Sequence, residues 1–123
     1  MSKELSVYGI SSCQTCKKAR AYLADRGLDH RWVDLRATPP DRARVERWVA
    51  ALGSKALRNT SGGSYRALGP EKQSWDDAAW LDALFADPML IKRPVLEIAG
   101  APVAVGFREP RWAELLDAAR GGR

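Results

Sequence analysis

Cysteine and histidine are scarce in this chain, whose 123 residues include two cysteines and one histidine. A structural zinc site needs about four ligands, and Cys13, Cys16 and His30 are too few to supply them. The cysteines are so close that a disulfide between them would close too short a loop to add much stability. The pair therefore points to thiol chemistry, with two inert buried cysteines as the remaining alternative.

Long apolar runs are also absent. No run approaches the roughly 20 residues that a membrane-spanning helix needs, and residues 1–5 lack the apolar stretch of a secretory signal. We therefore expect no membrane association and a cytoplasmic location. Thiols stay reduced there, so a close cysteine pair is more often catalytic or metal-binding than structural.

Charge is biased toward one sign, but without a pattern. The net charge of +5 suggests some attraction for anions, while the basic residues are scattered among acidic ones. No aromatic-interleaved basic stripe and no nucleic-acid motif is present, so we expect no direct nucleic-acid binding. With 46% hydrophobic and 28% charged residues, the composition is typical of a globular chain, and the length predicts one domain over residues 1–123.

The first third of the chain predicts a βαβ unit. Residues 5–8 are rich in strand-forming types, residues 14–26 are helical in pattern, and residues 30–35 predict a second strand. Ser11 or Ser12 is the expected N-cap of the helix. Strands joined through a helix in this way are expected to be parallel, with a right-handed crossover.

The remaining pattern predicts more helices and then a hairpin. In order, we expect a helix from Asp41 to Leu52, a helical turn over 54–58, a loop over 59–64, a helix from an N-cap at Ser74 to Ala86, strands over 95–98 and 103–105 joined by a turn over 100–102, and a helix from Pro110. The helix that begins at Ser74 is expected to bury Ala78, Leu81, Leu84 and Phe85. This order predicts an α/β fold, a thioredoxin-like mixed four-stranded sheet with a helical insertion at about residues 36–88.

The cysteine pair lies where a strand passes into a helix. The first turn of a helix carries unpaired N–H groups and a partial positive charge, which stabilise a thiolate. Cysteines in such motifs have pKa values of roughly 3.5–7.5, against about 8.5 for a free cysteine. Cys13 is the expected nucleophile, with Lys17 adding positive charge, and Cys16 is placed to resolve an adduct on Cys13.

Two arginines are candidates for the same site. In a thioredoxin-like fold we expect the bond before Pro94 to be cis and to face the cysteine turn, which would bring Arg93 beside Cys13. The final hairpin would bring Arg108 to the same end. The planar fork of arginine suits tetrahedral oxyanions. The alternative is that both are ordinary surface arginines.

Four motifs together resemble the ArsC/Spx family, from Leu5 to Leu116. They are Tyr8-Gly9 followed by Cys13-x-x-Cys16-Lys17-Lys18-Ala19, then Leu57-Arg58-Asn59-Thr60, Ile91-Lys92-Arg93-Pro94 and Val105-Gly106-Phe107. That family contains arsenate reductases, proteins described as glutathione-dependent thiol reductases, and transcription regulators that bind RNA polymerase. Its thioredoxin-like fold with a helical insertion agrees with the pattern above.

The resemblance implies roles for particular residues. Cys13 matches the nucleophile, and three arginines match those that hold the oxyanion: Arg58, Arg93 and Arg108, with Arg66 as the alternative to Arg58. The expected supporting residues are Ser12, Thr15, Lys17 and Pro94. Where the arsenate reductases have histidine and serine around the nucleophile, this chain has Gly9 and Cys16. The segment Asn59-Thr60 and the stretch from Ile91 to Phe107 are more similar to the thiol reductase branch, whereas the C-x-x-C pair is shared with many regulators of the family.

Two functions follow as expectations. The first is a thiol-dependent reductase acting on arsenate, a similar oxyanion or a disulfide, with no bound cofactor and with glutathione, glutaredoxin or thioredoxin as reductant. The alternative is a redox-sensing transcription regulator that binds the α subunit of RNA polymerase. Regulators of the family usually carry a longer segment after the last helix. This sequence ends at Gly121-Gly122-Arg123, soon after the expected last helix, so we favour the enzyme.

Overall fold

Four strands form one mixed sheet in the computed structural model, which describes residues 3–121. They are β1 (Leu5–Gly9), β2 (Arg31–Asp34), β3 (Val95–Ile98) and β4 (Ala101–Val105). The strand order is β2-β1-β3-β4. β1 and β2 are parallel, whereas β3 is antiparallel to both β1 and β4. The predicted mixed four-stranded sheet is therefore confirmed.

Helices account for most of the remaining chain. They are α1 (Gln14–Asp25), α2 (Arg42–Leu52), α3 (Ser54–Leu57), α4 (Gly63–Arg66), α5 (Asp77–Ala86) and α6 (Glu109–Gly121), with 3₁₀ turns at Pro70–Ser74 and Pro88–Leu90. The turn α4 lies partly in the segment that the composition predicts to be a loop. None of the helices within residues 3–121 is both long and apolar enough to span a bilayer.

The chain divides into two compact units. Within the described residues, the first unit takes in everything up to Asp34 and from Arg93 onward, and so contains the whole sheet with α1 and α6. The second unit is helical and runs from Leu35 to Lys92. It contains the segment for which the sequence predicts an insertion.

The core of the sheet unit follows from the period of two along the strands. Alternate residues of β1 and β3 face α1 and α6, and together these elements bury Leu5, Val7, Ala19, Leu23, Leu96, Ile98, Trp112 and Leu116. The intervening strand positions carry buried polar groups. Among them, the Tyr8 hydroxyl donates a hydrogen bond of 3.0 Å to the carboxylate of Glu97, which is only 2% exposed.

The helix α1 begins differently from the prediction. Its N-cap is Cys13 rather than Ser11 or Ser12, because the extended backbone of Cys13 lets its sulfur accept from the N–H of Cys16. Gly27 follows the C-cap with a φ of 71°. This left-handed conformation costs glycine little, so the expected helix end is confirmed.

The helix α5 also departs from the prediction. Its N-cap is Asp76, not Ser74, and its buried residues are Trp80 and Leu84, while Phe85 is 40% exposed. Nearly every position of α5 is apolar, so hydrophobic periodicity does not select a face. Aromatic packing within the second unit selects it, since Tyr65 stacks on Trp80 and Trp75 meets it edge-on.

The hairpin between β3 and β4 turns earlier than expected. Ala99 and Gly100 both have positive φ, 54° and 81°, and form its two-residue connection. Two consecutive positive φ values are typical of the type I′ turns that match strand twist. β4 therefore begins at Ala101, and the predicted turn at residues 100–102 is wrong.

Candidate functional site

The reactive end of Cys13 is positioned by the turn that follows β1. The backbone N–H of Cys13 donates to the Ile10 carbonyl at 3.1 Å, and the Cys13 carbonyl accepts from Lys17 N at 3.1 Å. The sulfur accepts from Cys16 N at 3.2 Å. Cys13 is half-buried, so its sulfur lies at the positive end of α1 and is still open to solvent.

A carboxylate from the neighbouring strand holds the same turn. Asp34 ends β2 and accepts a hydrogen bond of 3.2 Å from the N–H of Ser11. Sequence reasoning missed Asp34. Because parallel strands end at the same edge of a sheet, a polar residue at the end of β2 was the signal that could have identified it.

Arg93 reaches Cys13 from the start of β3. Tyr8 is paired with Val95, so the chain just before β3 lies beside the end of β1. The Arg93–Pro94 bond is cis, as expected. The half-buried Arg93 guanidinium both attracts the Cys13 sulfur and hydrogen-bonds to it. The sheet therefore brings together two residues that are 80 positions apart in sequence.

The environment of Cys13 favours its thiolate. Burial alone raises the pKa of Cys13, because it disfavours the charged form. The hydrogen bonds from the thiol and the backbone N–H of Cys16 act in the opposite direction, as does the Arg93 guanidinium. Their combined effect outweighs burial and lowers the pKa of Cys13 below its ordinary value.

The pKa of Cys16 is shifted in the opposite direction from that of Cys13. It is 1% exposed, and burial together with the hydrogen bond that its thiol donates to Cys13 raises its pKa to about 12. Both cysteines are free thiols. The two sulfurs therefore divide the roles, with an accessible Cys13 whose pKa is lowered and a protonated, covered Cys16.

The supporting residues expected from the sequence surround this turn. Ser12, Thr15 and Lys17 are exposed in the turn and the first turns of α1. Pro94 is buried, and its carbonyl accepts a hydrogen bond of 2.8 Å from Gly106 N, just after β4. This bond holds the end of the hairpin beside the Arg93–Pro94 segment.

The other two arginines differ in how they are held. Arg108 is exposed, two residues after Gly106. Arg58 belongs to the second unit, where it donates to the carbonyl and the hydroxyl of Ser54 and lies 4.0 Å from the ring centroid of Trp80. The fallback residue Arg66, in the same unit, donates to the Ser61 carbonyl at 2.8 Å.

A sequence model of the ArsC family matches residues 8–115. The chain belongs to the ArsC family. The resemblance expected from the motifs is thereby confirmed, and the matched range includes both cysteines and all the candidate arginines.

Individual proteins also resemble the chain over most of its length. The structure of a protein named YffB (PA3664) is similar with a TM-score of 0.84 and 35% identity, covering 91% of this chain and 98% of that protein. A possible arsenate reductase from Streptococcus mutans has a TM-score of 0.76 and 35% identity over 86% of this chain and 92% of its own. An arsenate reductase of Rhizobium meliloti is 31% identical over 93 residues, 73% of this chain and 66% of the reductase.

Proposed function

We propose that this ArsC-family protein is a thiol-dependent reductase whose Cys13 thiolate attacks an oxidised substrate. The observation that carries the proposal is the position of the half-buried Cys13 sulfur at the start of α1, where it accepts from Cys16 N and lies beside Arg93, an arrangement that lowers the pKa of Cys13. The thiolate is the nucleophilic form of cysteine, and a lowered pKa increases the fraction of thiolate at neutral pH. A fixed guanidinium offsets the charge of an incoming anion. Two similar proteins are named as an arsenate reductase and a possible arsenate reductase, so arsenate is the first substrate to test.

The first step with arsenate forms a bond between the Cys13 sulfur and arsenic. One arsenic–oxygen bond breaks, and the oxygen leaves as water after taking up two protons from solvent. Arsenic stays pentavalent in this thioester-like adduct. Arg93 is the group we propose to hold the remaining arsenic oxygens, together with Arg108, because a bidentate guanidinium matches an oxyanion.

The second step transfers two electrons to arsenic. A thiolate attacks the Cys13 sulfur, a disulfide forms, and the electron pair of the sulfur–arsenic bond remains on arsenic, which leaves as trivalent arsenite. The attacking thiol is glutathione or Cys16, and a second thiol then reduces the disulfide. With a disulfide substrate, Cys13 attacks one sulfur and the other leaves as a thiolate. No bound cofactor is required.

A reduction assay with two recycling systems tests the proposal. Arsenate is supplied with glutathione and glutaredoxin in one arm, and with thioredoxin and its reductase in the other, and arsenite is measured. A parallel assay supplies a mixed disulfide of glutathione. We expect turnover with at least one substrate, and the productive arm identifies the reductant. No turnover with either substrate in either arm would overturn the proposal.

The two cysteines provide matched variants for the same assay. Cys13→Ser is expected to abolish turnover, because the other cysteine, Cys16, is buried and has a raised pKa. Cys16→Ser is expected to retain part of the turnover when glutathione is present, because glutathione replaces Cys16 in the second step. Normal turnover by Cys13→Ser would contradict the mechanism even if the wild-type protein were active.

The regulator that the sequence also suggested has less support. Of the similar proteins described above, two are named for arsenate reduction and none for transcription. The accessible, activated thiol is explained by catalysis without a further partner, so we propose the enzyme alone.

A further inference from the structure

The Cys16 side chain is tightly packed, and the proposed mechanism does not explain this packing. A Cβ added to Gly9 would collide with the Cys16 sulfur and would lie 3.1 Å from the Cη2 atom of Trp32. The sulfur, the bare backbone of Gly9 and the edge of the indole therefore meet at one point. Cys16 is 1% exposed although it is in the first turn of a helix that faces solvent.

The strand register explains how Trp32 reaches this point. Trp32 is paired with Val7 on the parallel strand β1, and Gly9 lies two residues further along the same face. The large ring extends over the space that Gly9 leaves without a side chain. Trp32 is itself half-buried and packs against the apolar core between the sheet and α1.

The outer side of the indole is held by Arg20. The Arg20 guanidinium lies 4.4 Å from the Trp32 ring centroid, a distance typical of cation–π contacts. Arg20 is four residues after Cys16, so both side chains project from the same side of α1. Its Nε atom donates to His30 Nε2 at 3.0 Å. Burial and the Arg20 charge lower the pKa of His30, which favours the neutral ring that accepts this bond.

We propose that Trp32, with Arg20 stacked on it, is a positioning residue that covers Cys16 and keeps its thiol against Cys13 and out of reach of external reagents. This pair of side chains is called the Trp32 cover. While the cover is in place, Cys16 serves as a hydrogen-bond donor to the Cys13 thiolate. Cys16 also stays next to an adduct on Cys13, whereas an external thiol reaches the half-exposed Cys13 but not Cys16.

The inference deepens the proposed function, because it rests on that function for the resolving role of Cys16 and assigns the placement of that thiol to Trp32. Its core claim, the covering of Cys16, is independent of turnover. It is tested in the Cys13→Ser background, where Cys16 is the only thiol and the introduced hydroxyl can still accept from the Cys16 N–H. The rate of Cys16 alkylation by iodoacetamide is measured by mass spectrometry.

Replacement of the cover is expected to expose Cys16. Trp32→Ala should accelerate alkylation by about tenfold or more, since alkylation follows thiolate access, and Trp32→Phe should return the rate to within about threefold of the background because a ring again fills the space. Val33→Ala is the matched control. Val33 is half-buried on the same strand with its side chain on the opposite face.

Each outcome decides the inference. Equal acceleration by Trp32→Ala and Val33→Ala would mean that general destabilisation exposes Cys16, and would overturn the cover. An unchanged rate in Trp32→Ala would do the same. If Trp32→Ala does not fold, Arg20→Ala keeps the indole and removes its outer support, and it must still accelerate alkylation. Faster alkylation in Trp32→Ala combined with an inactive wild-type protein would support the covering role of Trp32 and would refute only the proposed reductase activity.

Discussion

The backbone N–H of Cys16 donates to the Cys13 sulfur across 3.2 Å, within the first turn of α1. This contact, with the hydrogen bond from the Cys16 thiol, separates the acidities of two cysteines that occupy one motif. Both bonds favour negative charge on Cys13, and the thiol bond also favours a retained proton on Cys16. The C-x-x-C spacing thus produces one nucleophile and one donor, rather than two equivalent thiols.

The reactivity of Cys13 should reach half its maximum at a pH below the ordinary cysteine value of about 8.5. The pKa of Cys13 is lowered in the folded chain, so ionisation of Cys13 stabilises the folded state relative to the unfolded state. This stabilisation is fully present above the pKa of the unfolded chain and is lost as pH falls through the pKa of the folded chain. Iodoacetamide labelling of Cys13 from pH 4 to 10, read by mass spectrometry, gives the midpoint. A midpoint at or above that of a cysteine peptide would contradict the assignment.

Loss of the Arg93 charge should raise that midpoint. Arg93→Gln removes both the attraction and the hydrogen bond that favour the Cys13 thiolate, so the labelling curve should move to higher pH and turnover should fall by about tenfold or more. Arg111→Ala is the control, because Arg111 is exposed on α6 and pairs with Glu114. The same upward shift in both variants would show that net charge, rather than contact with Cys13, is responsible.

A methyl group at residue 9 should destabilise the fold. In Gly9→Ala the new Cβ collides with the Cys16 sulfur. We expect this overpacking to lower the free energy of unfolding, measured by urea denaturation, by about 1–3 kcal/mol. Gly63→Ala should be close to neutral, because its Cβ would meet only the Arg66 side chain at 3.8 Å. In Gly9→Ala/Cys16→Ala the sulfur is gone, so part of the loss should be recovered. Additive losses in the double variant would exclude the collision as the cause.

The buried carboxylate of Glu97 should make Tyr8 sensitive to loss of its hydroxyl. Tyr8→Phe removes a donor from a carboxylate that is 2% exposed, and we expect a loss of about 1–3 kcal/mol in the free energy of unfolding. Tyr22→Phe is the matched change, since its hydroxyl accepts from the partly exposed Arg26. The test is the difference in the free energy of unfolding between the two variants. Equal small losses would mean that the buried Glu97 side chain does not need the hydrogen bond from Tyr8.

Local pattern was sufficient for much of the fold and for the nucleophile. The strand–helix–strand order, the helix end at Gly27 and the position of Cys13 at a helix entrance depend on residues close in sequence, so periodicity and capping preferences predict them. The same local rules were wrong where several residue types suit one position. They favoured Ser11 or Ser12 over Cys13 as the N-cap, since they do not include sulfur as an acceptor.

What only the tertiary structure decided involves residues far apart in sequence. The approach of Arg93 to Cys13, the Asp34 carboxylate on Ser11 and the indole of Trp32 over Gly9 each depend on which strands are neighbours and in which register. The burial of Trp80 in the second unit likewise depends on aromatic partners from other segments. Local sequence identified the reactive sulfur, whereas its acidity and the covering of its partner come from side chains that the sheet and its helices bring together, because charge and burial act through space rather than along the chain.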